Sequence, residues 1–282
     1  MTSVVPPIVS VEWLRAHQAP GEPGDLALCD VRYYLDGRDG MAAYLAGHLP
    51  GAVFIDMNTV LAAPAGPVVG RHPLPPPEVF AAGLGAAGIT PDHTVVVYDD
   101  LNGMVAGRLV WMLRILGQGA ALLDGGIGAW DGPLVTEPSE PSAASCPVRP
   151  WPEDAFIDAD MAAAHAAQGG VLADSRAPER YRGETEPIDP RAGHVPGAIN
   201  LPFSDNLTAD GRFKPAAELR ARFAAAGVDA GAIFYCGSGV SACHNLLAAE
   251  AAGFGLPRLF VASWSGWSSA SDRPAETGSG ER

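Results

Sequence analysis

Lysine is almost missing from this 282-residue chain: Lys214 is the only one, so arginine supplies nearly all of the positive charge. Acidic residues outnumber basic ones, and the formal net charge is −14. Such an excess of negative charge suits neither nucleic acid nor an anionic membrane surface, so neither partner is expected. An anionic substrate would have to be met by arginines that overcome the background field. Cysteine is also scarce. Cys29, Cys146, Cys236 and Cys243 are too few and too irregularly spaced for the disulfide framework of a secreted domain, and no CxxC pair points to zinc. Reduced thiols and a cytoplasmic location are the expectation. No apolar run approaches the length of a membrane span. The start, "MTSVVPPIVSVEWL", lacks the basic flank and apolar stretch of a signal peptide, so none is expected.

What is present is repeated. "DVR" at 30–32 returns as "DSR" at 174–176, and "GHLPGAVF" at 47–54 returns as "GHVPGAIN" at 193–200. "VVVYDD" at 95–100 corresponds to "AIFYCG" at 232–237, and Trp130 to Trp267. The order is kept and the spacing is nearly constant, so the chain reads as two similar halves. With 48% apolar residues it can bury one large core or two ordinary ones. We expect an N-terminal domain at 8–131, a Pro-rich linker at 132–156, a C-terminal domain at 157–272 and a disordered tail at 273–282. Short β-rich runs ("LALCDVR", "TVVVYDD", "GVLADSR", "AIFYC") alternate with Ala/Leu-rich helical stretches at 78–87, 104–116, 216–226 and 241–252. That alternation implies an α/β fold, each half a mainly parallel sheet flanked by helices. Reactive groups in such sheets sit beyond the carboxyl ends of strands.

Cys236 falls at such an end, followed by the small residues of "CGSGVSA". Consecutive backbone N–H groups in that loop, with the helix N-terminus, would hold a thiolate or a persulfide. Gly237 and Gly239 permit unusual backbone angles and close approach, and the small residues are expected to leave the sulfur exposed. A buried structural cysteine is the plain alternative. A Cys-x5-Arg phosphatase would need arginine at 242, which is Ala242, and no G-x-S-x-G elbow occurs. "GSGVSA" fits a G-x-G-x-x-A dinucleotide fingerprint, but a whole repeat precedes it, and Leu256 to Leu259 stand where the ribose acid belongs. The residue opposite Cys236 in the first half is Asp99, so the chemistry is expected in the second half only.

The order "DSR…RYRGETEP…GHVPGAIN…FYCGSGVSA…SWSGW", preceded by a decayed copy, resembles the two-domain rhodanese family of sulfurtransferases over residues 8–270. The loop resembles its 3-mercaptopyruvate branch, since Gly237 and Ser238 lack the charge that the thiosulfate branch uses for a dianion. The resemblance implies a Cys236 persulfide, an inactive N-terminal domain, a site between the domains, and no metal or organic cofactor. It makes Ser238 and His72, from "GRHPLP", a proton relay and Arg180 the anchor of a small anionic donor. Gly237, Gly239, Val240 and Ser241 would line the donor site. Two positions depart from the pattern. Asn58 stands where the family has the acid that orients the histidine, with Asp56 a substitute on the same strand face. Ile188 stands at the second arginine of the branch, leaving Arg191 as the next candidate. The implied acceptor is cyanide, a thiol or a thioredoxin-like protein. Thiosulfate as donor is the alternative, and a non-catalytic sulfur carrier or regulatory module is a third reading. Asp30, Arg32, His48 and their counterparts Asp174, Arg176 and His194 occur in both halves and are expected to be structural. Trp264 and Trp267 are expected to pack, and Cys243 to be buried.

Overall fold

The computed structural model describes residues 5–18 and 26–280; residues 281–282, the end of the expected tail, lie outside the described residues. The chain divides into two units. The first holds the described residues up to Ala63, with Pro75–Trp151 and Asp210–Arg212. The second holds Pro64–Leu74, Pro152–Ala209 and the described residues from Phe213 onward. Two boundaries thus differ from the sequence expectation. Pro64–Leu74 groups with the second unit, and most of the Pro-rich linker groups with the first. Residues 136–150 form neither helix nor strand, as their proline content requires.

The first unit runs β1 (Ile8–Val9), α1 (Val11–His17), β2 (Leu26–Asp30), α2 (Gly40–Ala46), β3 (Val53–Phe54), α3 (Pro77–Ala86), β4 (Thr94–Tyr98), α4 (Ala106–Ile115) and β5 (Ala120–Leu123). The second runs β6 (Phe156–Ile157), α5 (Ala159–Ala167), β7 (Leu172–Asp174), α6 (Pro178–Tyr181), β8 (Ile199–Asn200), α7 (Ala216–Ala225), β9 (Ile233–Tyr235), α8 (Ala242–Ala251), β10 (Arg258–Phe260) and α9 (Ser263–Ser269). The strand orders are β1-β5-β4-β2-β3 and β6-β10-β9-β7-β8, every ladder parallel. The two orders are the same pattern, which is the duplication written in topology. Each central strand, β4 or β9, is a short and mainly apolar run, buried except at Thr94, as a sheet covered on both faces demands.

The motifs repeated in both halves do the same local work. Arg32 and Asp30 pair at 2.7 Å and Arg176 and Asp174 at 2.5 Å, all four buried. Each guanidinium also donates to a loop carbonyl, Gly47 O at 2.8 Å or Gly193 O at 2.7 Å. His48 stacks on Tyr44 and His194 on Tyr181, with ring centroids 3.7 Å apart in both cases. Breaking either buried pair would strand a charge in the interior.

One expectation is corrected here: the tail is ordered at least as far as Gly280. His194 N donates to Glu276 O at 2.8 Å and Glu276 N to His194 O at 3.0 Å, while Gly278 N donates to Arg182 O at 2.9 Å. The reason lies in the repeat. His48 makes the same exchange with Val135, at the start of the linker, at 2.9 Å each way. Each unit thus closes its GH loop with the segment that leaves it. Truncation after Pro274 removes these three bonds, so we expect the second unit to lose about 2 kcal/mol in chemical denaturation. An unchanged transition would show that the tail contributes nothing.

Candidate active site

Cys236 follows the central strand β9 and opens the loop into α8. The start of α9 holds that loop from behind. Trp264 N donates to Cys236 O at 3.0 Å and Ser265 N to Gly237 O at 2.8 Å. The Ser263 hydroxyl donates to Phe260 O at 2.9 Å and accepts from Cys236 N at 3.2 Å. These bonds keep Ser263 at a φ of 52°, a left-handed conformation uncommon for serine. Gly239, at a φ of 74°, turns the loop. On either side of it, no oxygen among the described residues accepts from the N–H groups of Ser238, Val240, Ser241 or Ala242.

The first unit shows what such a row can hold. Asp99, opposite Cys236 in the repeat, is fully buried. Its carboxylate accepts from Leu101 N at 2.9 Å, Gly103 N at 2.8 Å, Val105 N at 2.8 Å and Ala106 N at 2.9 Å. Burial pushes its carboxyl pKa up, and these N–H groups pull it back. The strand–loop–helix element is an anion cradle in the half that lacks the thiol.

His72 reaches the loop because its segment is pinned. Gly66 and Gly70 exchange two backbone bonds, at 3.0 and 2.9 Å. A Cβ on Gly70 would lie 2.5 Å from Ala262 O, so only glycine permits that approach. Arg71 N donates to the Ser265 hydroxyl at 3.0 Å. His72 Nδ1 then meets Ser238 Oγ at 2.9 Å, both residues buried. The Ser238 hydroxyl is therefore engaged with His72 rather than capping α8. The site forms within the second unit, because Pro64–Leu74 belongs there.

Two guanidinium groups converge on the residue after the thiol. A Cβ on Gly237 would lie 2.9 Å from Arg71 Nη2 and 3.5 Å from Arg180 Nη1. Asp189 bridges them, pairing with Arg71 through Oδ1 and with Arg180 through Oδ2 at 3.1 Å. Glu186 holds Arg180 at 2.6 Å and Arg176 at 3.2 Å. Burial pushes the Asp189 carboxyl up from its ordinary range; Arg71 and Arg180 oppose this and Glu186 adds to it. Neither Arg71 nor Asp189 was read from the sequence as a site residue. Arg71 was within reach, since it precedes His72 in "GRHPLP".

Several expectations change. Cys236 is 1% exposed, not open to solvent. Arg191 does not serve the loop. Its guanidinium donates to the carbonyls of Ser268, Arg273, Trp267 and Ala270 at 2.7–3.1 Å and so caps the end of α9. Asp56 and Asn58 lie after β3, in a turn rather than on a strand. Asp56 Oδ1 accepts from Asn58 N, Thr59 N and the Thr59 hydroxyl, and Asn58 is exposed. Val240 is buried, and Ser241 is half-buried at the start of α8 without a side-chain cap bond. Trp264 and Trp267 are buried, as is Cys243, whose thiol donates to Gly239 O at 3.4 Å. Asp99→Ala would leave its row of N–H groups without an oxygen, so we expect a loss of about 3 kcal/mol from the first unit's unfolding transition. A loss below about 1 kcal/mol would mean the row needs no anion.

The chain resembles known proteins over nearly its whole length. The Rhodanese-like domain family matches residues 10–132 and 158–270. A Pseudomonas aeruginosa protein named "Probable 3-mercaptopyruvate sulfurtransferase" is 46% identical over 265 residues, covering 90% of this chain and 93% of that one. The bovine (Bos taurus) thiosulfate sulfurtransferase is 34% identical, covering 92% and 91%. The crystal structure of the 3-mercaptopyruvate sulfotransferase SseA from Escherichia coli superposes with a TM-score of 0.78 at 30% identity, covering 93% of this chain and all of that one. With both halves matched, each built on the same five-stranded parallel sheet, the chain belongs to the rhodanese family.

Proposed function

We propose that this protein is a sulfurtransferase that moves a sulfur atom from 3-mercaptopyruvate to a thiophilic acceptor through a persulfide on Cys236. The acceptor is cyanide, a small thiol or a reduced thioredoxin-like protein. The relatives named for sulfur transfer at up to 46% identity support the reaction class. The observation that carries the residue assignment is the 2.9 Å contact of Ser238 with His72, two positions from the thiol.

In the first step the Cys236 thiolate attacks the donor sulfur. An S–S bond forms, the C–S bond breaks, and its electron pair leaves with the pyruvate enolate, which a proton then converts to pyruvate. Ser238 and His72 move the proton released from the donor thiol. Arg180 binds the donor carboxylate through charge-assisted hydrogen bonds. In the second step the acceptor attacks the outer sulfur and the Cys236 thiolate leaves. No net oxidant is needed, because the sulfur is passed on at one oxidation level. This is covalent catalysis that divides one difficult transfer into two easier ones.

A second reading takes thiosulfate as donor, and one observation favours it: two guanidinium groups, rather than one, lie beside Gly237. The uncharged Gly237 and Ser238 favour the keto acid. A cytoplasmic setting is part of the proposal. It is supported by four cysteines that are all free, and no helix of the described residues is long and apolar enough to cross a membrane. The test is a steady-state comparison of both donors in the wild type and in His72→Ala. We expect faster turnover with 3-mercaptopyruvate, and a loss on His72→Ala of about a hundredfold with that donor but much less with thiosulfate. Faster turnover with thiosulfate would reverse the donor, and equal losses would remove His72 from the relay.

A further inference from the structure

Arg180 does not wait for a ligand with its guanidinium free. In this structure its anion is already in place, and that anion comes from the protein. Asp189 uses one carboxylate oxygen for Arg71 and the other for Arg180, so a single carboxylate spans both cations. Both cations also approach the Cα of Gly237, next to the thiol. Arg71 and Arg180 each keep a buried Nε–H with no acceptor among the described residues. We infer that Arg71 and Arg180 form a two-guanidinium clamp for the donor carboxylate and that Asp189 is its internal occupant, displaced when the donor binds. The inference deepens the reading above, because it rests on a donor that carries a carboxylate.

Three features favour an exchange over a fixed ion pair. First, burial disfavours the charged form of Asp189, so moving its carboxylate toward water recovers solvation. Second, Arg180 would not be released with it, since Glu186 Oε1 holds Arg180 at 2.6 Å. Glu186 is itself anchored through Arg176, which is paired with buried Asp174. Third, the connected row of Arg71, Arg180 and Arg176 with Asp189, Glu186 and Asp174 is formally neutral. A monocarboxylate replacing a carboxylate leaves it so, whereas adding an anion without displacement buries unbalanced charge. Asp189 lies on a short turn, its N–H donating to Glu186 Oε1 at 3.1 Å, and neighbouring Ile188 is 42% exposed. The turn therefore has solvent on one side.

The test is calorimetric titration with pyruvate, a carboxylate with no sulfur to transfer, against the wild type, Asp189→Asn and Arg71→Gln. Removing the competing charge should tighten pyruvate binding about tenfold in Asp189→Asn, and removing one arm of the clamp should weaken it about tenfold in Arg71→Gln. Arg71 is partly exposed, so Arg71→Gln keeps the inference testable should Asp189→Asn fail to fold. Unchanged or weaker binding in Asp189→Asn, or unchanged binding in Arg71→Gln, overturns it. The same samples mixed with 3-mercaptopyruvate separate the two claims. Sulfur uptake with pyruvate affinity indifferent to both substitutions rejects the clamp and leaves the sulfurtransferase reading. The predicted affinities without sulfur uptake support the clamp and reject that reading.

Discussion

In the first unit, four main-chain N–H groups beyond the central strand converge on the Asp99 carboxylate. In the second, the N–H groups of Ser238, Val240, Ser241 and Ala242 have no oxygen acceptor among the described residues, and the residue at the strand end is Cys236. Main-chain donors of this kind normally find a partner in protein or water. The duplication thus contains its own control. One copy fills the cradle with a carboxylate, while in the other we propose that the sulfur of Cys236 is what it holds. The remaining features of the site position groups around that sulfur: α9 grips the loop from behind, and Gly70 lets His72 come near.

Charge explains the second layer. In a chain of net charge −14 the anionic donor proposed above is repelled at long range, so it needs a local source of positive charge. Arg71, Arg176 and Arg180 supply that, but three guanidinium groups left unbalanced in a partly buried place would be costly. The neighbouring carboxylates balance them. In this arrangement Cys236 is 1% exposed.

Much of the architecture was legible in the sequence. Internal repetition foretold two sheets of one topology, and all four helical stretches formed within about two residues of their expected ends. The buried Asp–Arg pairs followed from their presence in both halves. What escaped were features that depend on long-range partners. Residues 258–260 and 120–123 are too short to carry a periodic signal and become strands only between neighbours. The tail looked disordered because its composition is polar, yet two backbone bonds to His194 order it. Arg191, close in sequence to the vacant position at Ile188, turned to the carbonyls at the end of α9. Arg71 could have been suspected from its place beside His72, but its approach to Gly237 depends on the fold of residues 64–74.

The central claim is that the amides of residues 238–242 hold the sulfur-bearing state of Cys236. A crystal structure of the protein after reaction with 3-mercaptopyruvate, without acceptor, tests it most directly. The account predicts a second sulfur bonded to Cys236 Sγ and lying within hydrogen-bonding reach of the N–H groups of Ser238, Val240, Ser241 and Ala242. An unmodified Cys236, or a persulfide directed away from those amides, would contradict it.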